Sequence, residues 1–476
     1  MGQEIVESQF EKRDFHRFEK LLREETNLLR GWFEEWRFST DINVGGFELE
    51  ACLVDSSGRP LPNNDRFMER LDETLVMPEL ARFNVELNTE PHRLSHDALA
   101  LMHKELQTQW EHYSDVAEGL DSELVMTGIL PSIRDSDLSL QNMSDLRRYH
   151  ALNQQVLRMR NGEPLRLDIS GREHLEVVHQ DVMLESAATS FQIHMQVPED
   201  LAVRYYNAAI IASAPMVAAS ANSPYLFGRD LWDETRIPLF EQAVDVGGFA
   251  GAAHGPMRRV GFGMGYARKS LFECFEENVE HFPIMLPIDY QSEPEELRHM
   301  RLHNGTIWRW NRPLIGFIDG KPHLRIEHRV VPSGPTVVDS IANAALFFGL
   351  ITELVEAEQA PESQIEFATA RDNFYEASRL GLHAHVNWID GKRVGIHALL
   401  RDQLVPLAWK GLERLGLDQY DIDTYMEIIE ARMRSGQNGA VWQREYVAKN
   451  GRDMQALTLA YLEHQKSGEP VHDWSL

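Results

Sequence analysis

Polar and apolar residues alternate with period two in four separate stretches of this chain, and recur at helical spacing through much of the rest. Strict alternation predicts strands over 47–55 (FELEACLVD), 82–90 (RFNVELNTE), 188–197 (ATSFQIHMQV) and 321–331 (KPHLRIEHRVV). The apolar run 123–131 (ELVMTGILP) reads as a further, buried strand. Between the first two strands, SSGRPLPNND is turn chemistry. Phe10, Phe18, Leu21, Leu22, Leu28 and Trp32 fall near helical spacing and predict one amphipathic helix over 5–36. A second helix is expected from Ser95, as its N-cap, through Leu120. A third, apolar and rich in small residues, begins near Val203 and is ended by Asn222-Ser223-Pro224. The glycine-rich stretch 247–265 is a loop region, and from Thr336 onward the pattern is nearly all helical. Strands therefore gather in 44–331 and helices in 336–476, which is the segregation of an α+β protein rather than a doubly wound one. The expected division is an N-terminal helical segment (1–40), a sheet core (41–335) and a helical C-terminal region packed on it (336–476).

Residues two apart on a strand share a face. Glu48 and Glu50 lie together opposite Phe47 and Leu49, and Glu86, Asn88 and Glu90 opposite Val85 and Leu87. Gln192, His194 and Gln196 oppose Phe191, Ile193 and Met195, while Arg325, Glu327 and Arg329 oppose Leu324 and Ile326. One reading is ordinary antiparallel strands with one wet face. Such faces usually mix Thr, Ser and Lys, whereas these carry the residue types that hold metals and phosphates. Crowded carboxylates raise one another's pKa unless a cation sits among them. Glutamate oxygens suit a hard ion, Mg²⁺ or Mn²⁺, and neighbouring arginines supply forked donors for phosphate or carboxylate.

Composition narrows the field. A net charge of −27 over 476 residues argues against a nucleic-acid groove. No run of 18 apolar residues suggests a membrane span, and the charged start MGQEIVESQF is unlike a secretion signal. Val6 stands where N-myristoylation wants Ser or Thr. Two cysteines, Cys52 and Cys274, are too few for a disulfide framework, so a cytoplasmic setting is expected. No G-x-S-x-G, H-E-x-x-H or C-x-x-C motif occurs.

The blocks GGFELEACLVD, VELNTEP, FQIHMQV, ANSPYLFGRD and RIEHRVVPSGPTVVDSIANAA run in an order that resembles the glutamate–cysteine ligase type 2 family. The tail segments ARDNFYEASRLGLHAHVNW and GQNGAVWQREY resemble that family's helical end. The likeness covers about 44–450 and implies a glutamine-synthetase-like fold, a curved, mainly antiparallel sheet whose polar face cups the active site. It also implies ATP- and Mg²⁺-dependent joining of a carboxylate to an amine, a place in glutathione biosynthesis, and a homodimer or larger assembly. By position, Glu48, Glu50, Glu86 and Glu327 are the implied metal ligands, His194 lies near metal and nucleotide phosphate, and Arg329 meets the transferred phosphoryl. Arg325 is a second candidate phosphate donor, and Asn88 a candidate substrate contact. Glu90 is a further metal candidate, with a strand-end or helix-capping carboxylate as its alternative.

Basic residues gather in and after the glycine-rich stretch: Arg258, Arg259, Arg268 and Lys269, then Arg298, Arg301, Arg309 and Arg312. Arg259 and Arg268 are taken as triphosphate contacts on a mobile cover, against the alternative of a plain connector. Arg229 is a candidate for the acceptor carboxylate, against a surface salt bridge. His383 and His385 lie two apart without a third ligand, and Trp308 and Trp310 fit either adenine stacking or core. The expected function is a ligase that activates the γ-carboxylate of glutamate for an amine such as cysteine. The alternatives are a kinase of small guanidino or carboxylate substrates and a non-catalytic nucleotide or amino-acid sensor.

Overall fold

The computed structural model describes residues 9–40, 43–71, 73–246, 258–389 and 391–476. Its centre is an eight-stranded sheet. The strands are β1 (Val44–Val54), β2 (Val76–Pro78), β3 (Asn84–Asn88), β4 (His92–Arg93), β5 (Glu123–Val125), β6 (Phe191–Val197), β7 (Asn311–Ile318) and β8 (Lys321–His328). Their order is β7-β8-β6-β1-β3-β2, with β4 and β5 also pairing with β1, and every pairing is antiparallel. β1 is the spine: Gly45 to Leu49 pair with β6, while Glu48 to Cys52 pair with β3.

Alternation decides which face is dry. Phe47, Leu49, Ala51, Val85, Leu87, Ile193, Leu324 and Ile326 are fully or almost fully buried beneath the sheet. They meet the helices Ala202–Ser220 and Val337–Glu356. Phe348 stacks on Phe47 with ring centroids 6.3 Å apart, and Phe347 on His328 at 4.2 Å. The helix Val337–Glu356 is long and apolar enough to cross a membrane, yet 89% of its apolar window is buried in this core. The remaining C-terminal helices close over it, and buried side chains from Phe18 to Trp474 form one cluster.

Several expectations shift. The N-terminal helix runs Lys12–Glu34; the first eight residues of the chain lie outside the described residues. The helix expected from Ser95 begins at Ala98 after Asp97. Neither residue caps it; Asp421, from the distant helix Gln419–Ser435, accepts from Ala100 N at 3.0 Å. The strand expected at 123–131 is only three residues long, Glu123–Val125. β7 was not legible, because NRPLIGFI contains a proline and does not alternate cleanly. It joins β8 through Asp319-Gly320, both at positive φ, the two-residue turn that matches strand twist. A separate ribbon, Leu165–Ser170 with His174–His179, was likewise unexpected.

Candidate active site

The register stacks the polar residues of the sheet in rows. Glu50 faces Glu86; Glu48 lies between Asn88 and Gln192; His194 lies between Gly46 and Glu327, which faces Arg312; Gln196 faces Arg325. Glu48, His194 and Glu327 each offer one ligand atom, all within 4.8 Å of one another. His194 Nε2 stands 3.2 Å from Glu48 Oε1. Its buried Nδ1 has no hydrogen-bond partner among the described residues. Two carboxylates and an imidazole with a spare nitrogen fit a divalent cation of the Mg²⁺ or Mn²⁺ kind.

Glu327 is held from both sides. Arg312 forks onto it, Nε to Oε2 at 2.7 Å and Nη2 to Oε1 at 2.9 Å, and Arg329 Nη1 approaches Oε2 at 3.5 Å. Burial works to raise its pKa, but the charges of Arg312, Arg329 and His194 overcome this and hold the carboxyl well below the usual range. Glu48 behaves alike: burial opposes ionisation, His194 outweighs it, and the pKa falls to about 2. Arg329 also donates to Gln192 Oε1, and Gln192 Nε2 donates to Glu50 Oε1 at 3.1 Å.

The next row has the opposite character. Burial and the charge of Glu79 push Glu50 up to about 7, although Arg329 and a 2.6 Å bond from Ser190 N pull it back. Burial and then the carboxylates of Glu48, Glu79 and Glu50 push Glu86 well above its ordinary value. Burial, Glu79 and Glu50 do the same to Glu185. Four carboxyls thus crowd together with too little positive charge, which is the electrostatic signature of a place for a cation.

Glu79 and Glu185 escaped sequence reasoning because neither lies on an alternating strand. Glu79 follows the last residue of β2, and Glu185 sits in the short helical turn Met183–Ala187. Arg312 was named only as one of a run of basic residues; its place against Glu327 escaped because β7 did. A signal existed: counting back from the Asp319-Gly320 turn pairs 318 with 321 and therefore 312 with 327.

Other candidates fall elsewhere. Asn88 is on the face, its Nδ2 3.1 Å from Glu86 Oε1. Glu90 lies past the end of β3, exposed, where its backbone N–H donates to Glu105. Arg259 is buried and spends its guanidinium on Thr306 and the Pro283 carbonyl; burial lowers its pKa to about 9. That is a structural role, because the guanidinium is buried and its two Nη groups are bonded to Thr306 and Pro283. Arg268 is exposed ahead of the helix Phe272–His281. Arg229 lies in an exposed ion pair with Glu173 at 3.6 Å and shares no bond with the carboxylate face among the described residues. Trp308 and Trp310 are core, the latter donating to Glu241. His385 begins the strand His385–Asn387, whereas His383 ends a helical turn, so the pair shares no strand. Much of the glycine-rich stretch, 247–257, lies outside the described residues.

A curled antiparallel sheet with carboxylates, a histidine and arginines on one polar face is the glutamine-synthetase-like fold, and the family this chain matches is one of ATP-dependent ligases. The chain belongs to glutamate–cysteine ligase family 2, whose model matches residues 44–465. It is 26% identical over 440 residues to a protein of Rubrobacter xylanophilus named "Putative glutamate--cysteine ligase 2-1", covering 89% of this chain and 96% of that one. A "Putative glutamate--cysteine ligase 2-3" of Frankia alni is 24% identical over 420 residues, 85% of this chain but 40% of that longer protein. Among solved structures, the fold matches a glutamate–cysteine ligase of Francisella tularensis in complex with AMP (TM-score 0.56, 12% identity, 90% of each chain). It also matches a bifunctional glutathione synthetase of Pasteurella multocida (TM-score 0.57, 10% identity, 94% of this chain and 55% of that one).

Proposed function

We propose that the chain uses ATP to activate the γ-carboxylate of glutamate and joins it to an amine, with cysteine the first acceptor to test. The observation that carries this reading is the pair of adjoining rows on one sheet face. Glu48 and Glu327 are held ionised beside His194, and Glu50 and Glu86 are crowded carboxyls with raised pKa.

A free carboxylate is a poor acyl donor, because oxide is a very poor leaving group. In the proposed first step its oxygen attacks the γ-phosphorus of ATP and ADP departs, leaving an acyl phosphate. In the second, the amine nitrogen attacks the acyl carbon, phosphate leaves with the bonding electrons, and the nitrogen sheds a proton. The obstacle to the first step is repulsion between the anions. Glu48, His194 and Glu327 would hold one Mg²⁺ or Mn²⁺, and Glu50, Glu86 and Glu79 a second; bound there, the ions supply the missing positive charge. Arg329 is pre-aimed by Glu327 and Gln192 to donate to the transferred phosphoryl, a contribution of roughly 3 kcal/mol for one such donor. Small molecules are the only partners this chemistry needs, and a cytoplasmic homo-oligomer accords with it.

The test is ADP release with Mg²⁺ across a panel of acids and amines. Release that requires glutamate and an amine together supports the ligase. ADP and a phosphorylated acid formed without any amine support a kinase instead. Tight ATP binding without turnover on any pair would leave a sensor.

A further inference from the structure

One buried carboxylate at the edge of the candidate site takes no part in the proposed steps. Glu241 lies on the helix Arg236–Ala243, which walls the site on the side of Arg329. Arg236, at the start of that helix, donates to the carbonyls of Arg329 and Val330. One turn on, the Arg329 guanidinium lies 6.0 Å over the ring of Phe240. Arg329 N in turn donates to Trp310 O at 2.9 Å, and Trp310 packs edge-on against Phe240 at 5.9 Å. The same helix packs on the turn Met183–Ala187, which carries Glu185. Glu241 therefore stands beside the arginine proposed for the transferred phosphoryl, not in a remote part of the core.

Its two oxygens are unequally used. Trp310 Nε1 donates to Oε1 at 2.9 Å, and Tyr375 Oη donates to the same oxygen at 2.7 Å. Among the described residues Oε2 accepts no hydrogen bond and has no ion-pair partner, and it is not sealed in the core. Yet the residue is only 7% exposed, and two neutral donors do not balance a buried negative charge. Burial accordingly raises its pKa, and the two bonds and the charge of the exposed Arg258 offset only part of the rise. Phe240, Trp308, Trp310 and Phe374 make the surroundings aromatic. An unbonded carboxylate oxygen among aromatic side chains suits a ligand ammonium, which donates to the oxygen while the rings attract its charge. A purely structural residue here would not need Oε2, since glutamine offers the same kind of oxygen to Trp310 and Tyr375.

Chemistry decides which ammonium. The acceptor amine must shed its proton to gain the lone pair with which it attacks, and a carboxylate holding it as ammonium would oppose that step. The α-ammonium of the acid keeps its charge throughout. We infer that Glu241 is the specificity-determining residue for the acid substrate, its Oε2 accepting from the α-ammonium of the amino acid whose side-chain carboxylate is activated beside Arg329. The inference rests on the reading of this face as a ligase site, and it adds what separates an amino acid from a plain dicarboxylate there.

Glutamate and glutarate, which differ only in the ammonium group, are titrated by calorimetry into the full chain with Mg²⁺ and ADP. The wild type is expected to bind glutamate about tenfold or more tightly than glutarate, the worth of one charged hydrogen bond. Glu241→Gln keeps an oxygen for Trp310 and Tyr375 and is expected to lose most of that preference, with glutarate affinity unchanged. In ADP release its KM for glutamate should rise, while kcat and the KM for the acceptor amine stay at wild-type values. Equal binding of the two acids by the wild type would overturn the inference without any variant, as would binding of neither. A wild-type preference in Glu241→Gln also overturns it, and so does equal weakening of both acids, the mark of a structural role. A fall in kcat with glutamate binding intact would move Glu241 to the acceptor amine and overturn the assignment. If the preference exists and is lost in Glu241→Gln, yet no amine elicits ADP release, the ligase reading fails while the recognition stands.

Discussion

At the residue scale, the two carboxylate rows make opposite predictions. Glu48 is ionised and paired with His194, so Glu48→Gln removes a charge without opening a cavity. The variant is expected to fold and to lose at least two orders of magnitude in turnover, read as ADP release; wild-type turnover would return this face to an ordinary wet sheet. Glu50 instead keeps its proton up to about pH 7 in the folded chain, against an ordinary value of 4.5. Its contribution to stability is therefore complete below pH 4.5 and is lost as pH rises through 7, on the order of 3 kcal/mol at about 1.4 kcal/mol per pH unit. Without metal, the melting temperature should fall between pH 5 and 8. Adding Mg²⁺ at pH 8 should restore it, EDTA should reverse that, and Glu50→Gln should flatten the pH profile. A flat wild-type profile would count against the crowding. Glu48, Glu50, Glu86, His194 and Glu327 were recognisable as one face because period two is a geometric rule that needs no tertiary information. Glu79 and Glu185 were not, because only folding brings a strand end and a helical turn beside Glu50.

At the element scale, the site depends on how closely the helices pack beneath the sheet. Gly349, in Val337–Glu356, and Gly411, in the helix Val405–Leu415, let those two helices touch backbone to backbone; a Cβ on either would overlap a carbonyl of the other helix. Alanine gains about 1 kcal/mol of helix propensity over glycine. Overpacking costs about 1–3 kcal/mol, and here the obstacle is backbone, which no rotamer change relieves. The cost wins, so Gly411→Ala is expected to lower stability by about 2 kcal/mol in denaturant unfolding; a more stable variant would refute the contact. Because Phe348 of the same helix stacks on Phe47, next to Glu48, the variant should also need more Mg²⁺ for half-maximal activity. Long periodic elements were legible, including the helix after Val203 and the helical tail. The helix starts and β7 were not: a cap supplied by Asp421 from far along the chain leaves no local mark, and Pro313 hides a strand.

At the scale of the whole molecule, the C-terminal helices support the acidic strand directly. Tyr461, in the helix Met454–Ser467, donates to Met126 O at 3.0 Å and accepts from Asn222 Nδ2 at 2.8 Å. Asn222 also donates to Ser333 O at 2.9 Å, and Ser333 Oγ donates to Glu50 O at 2.6 Å. A chain of buried hydrogen bonds therefore runs from the last long helix to the backbone of the metal face. A second tie is the buried Arg432–Asp339 pair at 2.7 Å, which fastens the helix Gln419–Ser435 to the start of Val337–Glu356. Tyr461→Phe keeps the ring and deletes one hydroxyl, leaving an Asn222 N–H without a partner while the Met126 carbonyl keeps its 2.8 Å bond from Gln465, at a cost of about 1–3 kcal/mol. Arg432→Met strands a buried Asp339 and should cost more, about 3–5 kcal/mol. With ties of this kind, amide hydrogen exchange of the helices Gly439–Asn450 and Met454–Ser467 and far-ultraviolet circular dichroism should report one coincident denaturant transition in both variants. Loss of protection in those two helices that precedes the loss of helix and sheet signal would show the tail unfolding alone, and the support from Tyr461 to Glu50 would then be incidental to the site.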